Sequence, residues 1–240
     1  MKTIFIAAKD AENQKWYPVA RVQYDGNYFA LRYTKGALLI PGFVGFGLMN
    51  ELTAEYRSTT LFPLLSNRVL PRSRPESKTY LGWMGLHADS DAFDELARSG
   101  GLRATDSIEL VPLPVPTLDG NYEAHFFIRG IGHLPASTAS LVDSLDEGSR
   151  LFVLRDVQNA YDPAALLLRT GQPVSLVGYV PRYYSSDFSR LVEGGGAVKS
   201  VVEVLRVNRG SPTSYRVLCR LSAPWPVGFV PCQETEYEPI

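Results

Sequence analysis

Two short apolar runs, Leu151-Phe152-Val153-Leu154 and Leu166-Leu167-Leu168, flank the stretch Gln158-Asn159-Ala160-Tyr161-Asp162-Pro163-Ala164-Ala165. Each run is bounded by polar or turn-forming residues and has the length of a buried strand. Asn, Asp and Pro in the connection predict a sharp turn whose Asp162 side chain bonds nearby backbone N–H groups. The same turn presents chemistry outward: Tyr161 offers a π-face with a polar tip, and Asn159 and Asp162 offer hydrogen-bonding groups beside it. The runs predict neighbouring strands on both sides. Glu123 to Ile131 reads as a strand, Leu141 to Leu145 as a short helical turn, and Ser175 to Val180 as another strand. Tyr184, Phe188 and Leu191 share one helical face, and Gly194-Gly195-Gly196 ends that helix. Val198 to Val207 reads as a long strand. In Tyr215 to Leu221, Tyr215, Val217, Cys219 and Leu221 alternate with Arg216 and Arg220. Strands this closely spaced point to a barrel or a sandwich.

The N-terminal half mixes elements. Residues 3–8 predict a strand, and Val19 to Tyr33 predicts a hairpin turning at Asp25-Gly26. Residues 36–47 predict a loop, and Asn50 to Arg57 a short helix. Ser90 is placed as the cap of a helix with Asp91, Asp94 and Glu95 at its positive end, stopped by Gly100-Gly101. A strand follows at Ser107 to Val111. Residues 112–120 hold three prolines and end in Asp119-Gly120, which reads as a linker. The division expected is an α+β domain over residues 1–117, a mainly-β domain over 118–224, and a Pro-rich acidic tail over 225–240. The N-terminal half faintly resembles the small N-terminal subdomain of HipA-type kinases, without the kinase core and with no catalytic residue carried across.

Charge narrows the functional classes. The chain carries 24 Lys and Arg against 25 Asp and Glu, so nucleic-acid binding has to rest on a local basic surface and not on a general positive field. Arg57, Arg68, Arg72, Arg74 and Lys78 stand against a single Glu76 in residues 57–78. These cations read either as phosphate contacts, with Arg68, Arg72 and Arg74 as the candidates, or as partners of the acidic helix that follows. Only two cysteines are present, Cys219 and Cys232, and no Cys-x-x-Cys, which fits a reducing compartment without a zinc site. The apolar part of the first nine residues is short for a secretion signal, and no stretch reaches bilayer length. The localisation expected is cytoplasmic.

Three landmarks in order carry a resemblance. Phe127-Ile128-Arg129-Gly130-Ile131, Asn159-x-Tyr161-Asp162-Pro163-x-Ala165 and Val177-Gly178-Tyr179-Val180-Pro181-Arg182 resemble the signatures of the HIRAN domain, followed by a Leu-containing helix and a Val-rich strand. The resemblance runs from Phe126 to about Val207. It implies a small OB-like β-barrel. In fork-remodelling ATPases of the helicase-like transcription factor type, such a domain grips the 3′ end of single-stranded DNA. The DNA-binding residues it implies are Asn159, Tyr161, Asp162, Tyr179, Arg182, Arg129 and His133. Eukaryotic members carry an Arg and an aromatic residue just after the first-strand Gly; here Gly132 and His133 occupy those places, so one phosphate contact is missing.

Asp162 gives the reading its chemistry. A carboxylate repels phosphate but accepts a hydrogen bond from a terminal hydroxyl, so it favours a free 3′-OH over a 3′-phosphate. Aromatic faces for bases and cations for phosphates complete such a site. Enzymatic signatures are absent from the sequence: no Gly-x-Ser-x-Gly elbow, no phosphate-binding Gly-x₄-Gly-Lys loop, and no metal spacing among His87, His125 and His133. The function expected is binding of single-stranded DNA or its 3′ end without a cofactor, in repair, replication or defence, with a protein partner supplying any motor or nuclease activity. The alternatives are a protein-interaction module without DNA affinity and a metal-dependent hydrolase.

Overall fold

The computed structural model describes residues 1–103, 105–159, 162–192 and 201–240, without the side chains of 136, 137 and 139. The chain forms two compact units. The first comprises Met1–Lys78, Leu86–Leu113 and Val230–Ile240; the second comprises Thr79–Gly85 and Pro114–Phe229.

The first unit is a mixed α/β body. Its strands are β1 (Lys2–Lys9), β2 (Trp16–Tyr24), β3 (Phe29–Tyr33), β4 (Glu55–Ser58) and β5 (Ile108–Pro112), and its helices are α1 (Pro63–Ser66), the first turn of α2 (Ser77–Trp83), and α3 (Ala92–Ser99). The strands form one antiparallel sheet in the order β4-β3-β2-β1-β5. Ile4, Ile6, Leu31 and Leu110 pack with Leu65 of α1 and with Phe93 and Leu96 of α3. β1 is buried on both faces because the last residues of the chain cover the other one. There Tyr237 meets Phe5 edge-on at 4.9 Å, the Ile240 N–H donates to the Tyr33 carbonyl (3.1 Å), and Pro239 bridges Thr34. The segment from Val230 onward is therefore not a separate tail, as the sequence reading has it. Its aromatic and backbone groups pack against Phe5, Tyr33 and Thr34 of the sheet.

Three other local expectations are corrected. Asn50 to Arg57 is not a helix: residues 55–58 pair with β3, and Glu55 forms an ion pair with Arg32 across the two strands. Pairing to an available strand edge outweighs the local helical preference. The cap of α3 is Asp91, whose Oδ1 accepts from the Asp94 N–H at 2.7 Å, while the Ser90 hydroxyl turns back to accept from the His87 N–H. The β2–β3 connection spans residues 25–28, with Asp25 Oδ1 accepting from both Asn27 and Tyr28 N–H groups at 2.8 Å, instead of closing as a two-residue turn.

The second unit contains β6 (Asn121–Phe127), α4 (Ala136–Asp143), β7 (Arg150–Arg155), β8 (Leu166–Arg169), β9 (Leu176–Tyr179), α5 (Arg182–Leu191), β10 (Val201–Val207) and β11 (Val217–Pro224). These strands form a six-stranded antiparallel sheet in the order β6-β11-β10-β7-β8-β9. It curls into a half-barrel of OB-like type. Alternation makes the inner face: Tyr122, Ala124 and Phe126 of β6 and Val217, Cys219, Leu221 and Ala223 of β11 are buried. Burial pushes the Cys219 thiol well above its ordinary range, which keeps it a neutral core group. Tyr184, Phe188 and Leu191 of α5 enter the same core, with the Tyr184 and Phe188 rings stacked at 5.3 Å. Tyr215 and Arg216 precede β11 in a tight turn instead of sharing its faces; Tyr215 stacks on Trp83 and Arg216 pairs with Asp143. The triple glycine 194–196 and the start of the strand expected at 198 lie outside the described residues.

The two edges of the curled sheet meet just beyond β6. Arg129 and Tyr179 exchange two backbone hydrogen bonds of 2.9 and 2.8 Å. Gly178 makes this approach possible. Its φ is +141°, and a Cβ there would fall 2.3 Å from Ile128 Cγ2 and 2.5 Å from the Arg129 carbonyl oxygen. Backbone strain and a clash with a main-chain atom therefore combine in Gly178→Ala, and the expected loss of stability is about 3 kcal/mol or more in urea unfolding. An unchanged midpoint would show that the strand crossing is not the constraint inferred here.

Candidate nucleic-acid interface

The β7–β8 ladder pairs Phe152 with Arg169 and Arg155 with Leu166, and it is extended by the Asp156 N–H donating to the Ala165 carbonyl at 2.9 Å. The connection beyond it is held by short-range polar bonds. The Asp162 N–H donates to Asn159 Oδ1 (2.9 Å), and Asp162 Oδ1 accepts from the Ala164 N–H (3.0 Å). Asp162 thus builds its own turn, as the sequence predicts. Among the described residues its second oxygen accepts no hydrogen bond, and the residue is half-exposed. Tyr161, named with it from the sequence, lies outside the described residues.

Asp156, which is not among the site residues expected from the sequence, is the organising residue. Its Oδ2 accepts from the Tyr179 hydroxyl at 3.0 Å and from the Asn159 side-chain amide at 3.2 Å. One carboxylate therefore ties the turn after β7 to the end of β9. Burial raises the Tyr179 hydroxyl above the usual phenol range, and the hydrogen bond to Asp156 pushes it the same way, so it remains a proton donor. The signal available in the sequence was position: Asp156 closes the β7 run, three residues before Asn159.

Tyr179 also connects to the first landmark. Its backbone pairs with Arg129, and its ring lies over Gly130, where a Cβ would come within 2.9 Å of Tyr179 Cδ2. Gly130 has φ +72° and leads into the tight turn Ile131–His133, on which Gly132 and His133 are exposed. A Cβ at Gly132 would meet nothing within 4 Å among the described residues. Arg182, the first residue of α5, is exposed and makes no ion pair among the described residues. Asn159, Asp162, Tyr179 and the Arg129 backbone are thus joined through one hydrogen-bonded network. His133 and Arg182 stand on the elements that leave it.

The basic stretch of the N-terminal half is different. The Arg68 side chain is 2 % exposed, donating to the Gly101 carbonyl (2.7 Å) and pairing with Asp106 (2.5 Å). Arg72 pairs at 2.5 Å with Glu95, which is wholly buried in α3 and also accepts from the Leu70 N–H. These bonds favour the other reading of Arg68 and Arg72, as partners of acidic groups: the Arg68 side chain is buried, and Arg72, 34 % exposed, is held by Glu95 and by the Ser90 carbonyl. Arg74 is exposed and reaches only Glu76, at 3.5 Å. Among the described residues no group of three or more His, Cys, Asp and Glu side chains is placed to hold a metal ion, and no helix is long and apolar enough to cross a membrane.

Removing Arg72 leaves the Glu95 carboxylate buried without its counter-charge. Arg72→Ala is expected to cost about 2–4 kcal/mol in chemical denaturation, while the folded variant keeps any affinity for oligonucleotides. Full stability with weakened binding would return Arg72 to the phosphate contacts.

Parts of the chain are similar to known proteins. A crystal structure of a protein from Lactobacillus plantarum is similar over 42% of this chain and 96% of its own, at 17% identity and a TM-score of 0.34. That of the HIRAN domain of human HLTF is similar over 45% and 81%, at 10% identity and a TM-score of 0.32. No curated protein matches the chain. The family model for the HIRAN domain matches residues 122–225, so the resemblance carried by the three landmarks is shown for the C-terminal half of the chain.

Proposed function

We propose that the second unit binds single-stranded DNA and reads its free 3′-OH end at the Asn159–Asp162 turn. HIRAN domains are nucleic-acid-binding domains, and the match covers the residues of this site. The observation that carries the finer reading is the state of Asp162. One oxygen holds the turn, and the other is left without a partner among the described residues, in a turn tied through Asn159 and Asp156 to the Tyr179 hydroxyl. An acceptor of this kind takes a hydrogen bond from a terminal hydroxyl and repels a terminal phosphate. Arg182 and His133 supply exposed groups for the phosphates that precede the end. The missing cation at Gly132 makes this a weaker grip than one with both family contacts. In this reading a protein partner supplies motor or nuclease chemistry in repair, replication or defence.

Fluorescence anisotropy with oligonucleotides ending in 3′-OH or 3′-phosphate tests this. The 3′-OH end is expected to bind about tenfold tighter, with affinity falling steeply as salt is added. Asp162→Asn keeps an acceptor for the Ala164 N–H and removes the charge, and should erase most of the difference. Equal affinity of the native protein for both ends would remove Asp162 from the role. No salt-sensitive binding at all would favour a protein-interaction module.

A further inference from the structure

The hairpin that carries the turn has a second unusual face. On β7 only Leu151 is buried, and Phe152 and Leu154 point outward with 37% and 40% exposure; Leu176 on β9 is 40% exposed. The register places these side chains in two rows. Leu154 pairs with Leu167 and Leu167 with Tyr179; Phe152 pairs with Arg169 and Arg169 with Leu176. Leu168 and Val177, between the rows, are wholly buried, so both rows share the outer face. Around Phe152 stand two guanidinium groups, Arg169 at 4.7 Å and Arg150 at 5.5 Å from the ring centroid. A water-facing sheet surface is ordinarily polar. This one presents an aromatic ring between two cations, bordered by leucines.

We propose that this outer face is the track of the strand that ends at the Asn159–Asp162 turn, with Phe152 stacking on a base upstream of the 3′ terminus and Arg150 and Arg169 meeting its phosphates. The inference rests on the end-binding reading and extends it to the rest of the ligand. Three observations select a nucleic-acid strand as the occupant. Charge is the first: residues 150–182 hold Arg150, Arg155, Arg169 and Arg182 against Asp156 and Asp162, a net of 4 − 2 = +2 in a chain whose net charge is −1. Both carboxylates lie in the turn; no acidic residue stands in either row, and Glu203, the cross-strand partner of Arg150, is itself paired with Arg220 at 2.7 Å. Continuity is the second: Tyr179 belongs at once to the end-binding network and to the first row. Spacing is the third: neighbouring rows are two residues apart along the strands, roughly 6.6–6.8 Å, a step that an extended single strand can follow with one nucleotide per row. An aromatic face flanked by cations is the arrangement that binds single strands with little sequence preference, and a base can stack on a guanidinium plane as well as on the ring.

The full chain is titrated with a 3′-OH strand of about six nucleotides carrying the fluorescent base 2-aminopurine at successive positions, and with a dinucleotide of the same 3′ terminus. In the native protein, fluorescence should be quenched at one position upstream of the end. Phe152→Leu keeps an apolar side chain at a partly exposed site. It should abolish that quenching and weaken the longer strand about tenfold, leaving the dinucleotide and the preference for 3′-OH over 3′-phosphate unchanged. Arg150→Ser, a second exposed position, should lower the slope of log affinity against log salt by about one for the longer strand only. Native-like binding of the longer strand by both variants, with the 3′-OH preference intact, would overturn the track and leave the end-binding site standing. Failure of the native protein to bind either oligonucleotide would overturn both. Binding of a polyglutamate peptide in place of DNA, lost in Phe152→Leu, would make the face a protein dock and overturn the proposal.

Discussion

Two backbone hydrogen bonds between Arg129 and Tyr179 bring the edges of the C-terminal sheet together, and the candidate site depends on them. They require glycine on each side: Gly178 so that the strands can cross against the Arg129 carbonyl, and Gly130 so that the chain can turn beneath the Tyr179 ring. With the crossing fixed, the end of β9 places the Tyr179 hydroxyl at the turn after β7. It meets Asp156, which also holds Asn159, which accepts from the backbone of Asp162. The position of a single carboxylate in a surface loop thus traces back to a main-chain contact at the edge of a barrel. This is preorganisation in a literal sense: the polar groups are placed by the fold before any ligand arrives.

The two units use charge differently. In the first, Arg68 and Arg72 are turned inward, and Glu95 is so deeply placed that only a fixed counter-charge and a backbone donor make its burial tolerable. In the second, Arg150, Arg155 and Arg182 are exposed along a hairpin and a helix start. A count of cations by sequence window treats these groups alike. Burial separates them: the Arg68 side chain is shut in, and Arg150, Arg155 and Arg182 are open to solvent.

Much of the second unit was legible because its period is short. Inward and outward residues alternate in β6 and β11, and Tyr184, Phe188 and Leu191 mark the buried face of α5, so the core could be read from local spacing. The self-bonding of Asp162 was legible for the same reason, since its partner is two residues away. What escaped was set by distant partners. Residues 55–58 became a strand because β3 offered an edge, and the last residues joined the first unit because Phe5 and Thr34 needed cover. The role of Asp156 in the network is not legible locally, because its partner Tyr179 is 23 positions away. The resemblance to the HIRAN domain singles out the connection after β7; the hydrogen bonds show how Asn159 and Asp162 are held in it.

Amide chemical-shift mapping during titration with a short 3′-OH oligonucleotide tests the central claim most directly. The account predicts that the largest shifts cluster at Gly130, Gly132, His133, Asn159, Asp162 and Arg182, with the Arg68–Lys78 stretch unmoved. Shifts centred on that N-terminal stretch, with the Arg129–Tyr179 crossing and its turn unaffected, would contradict it.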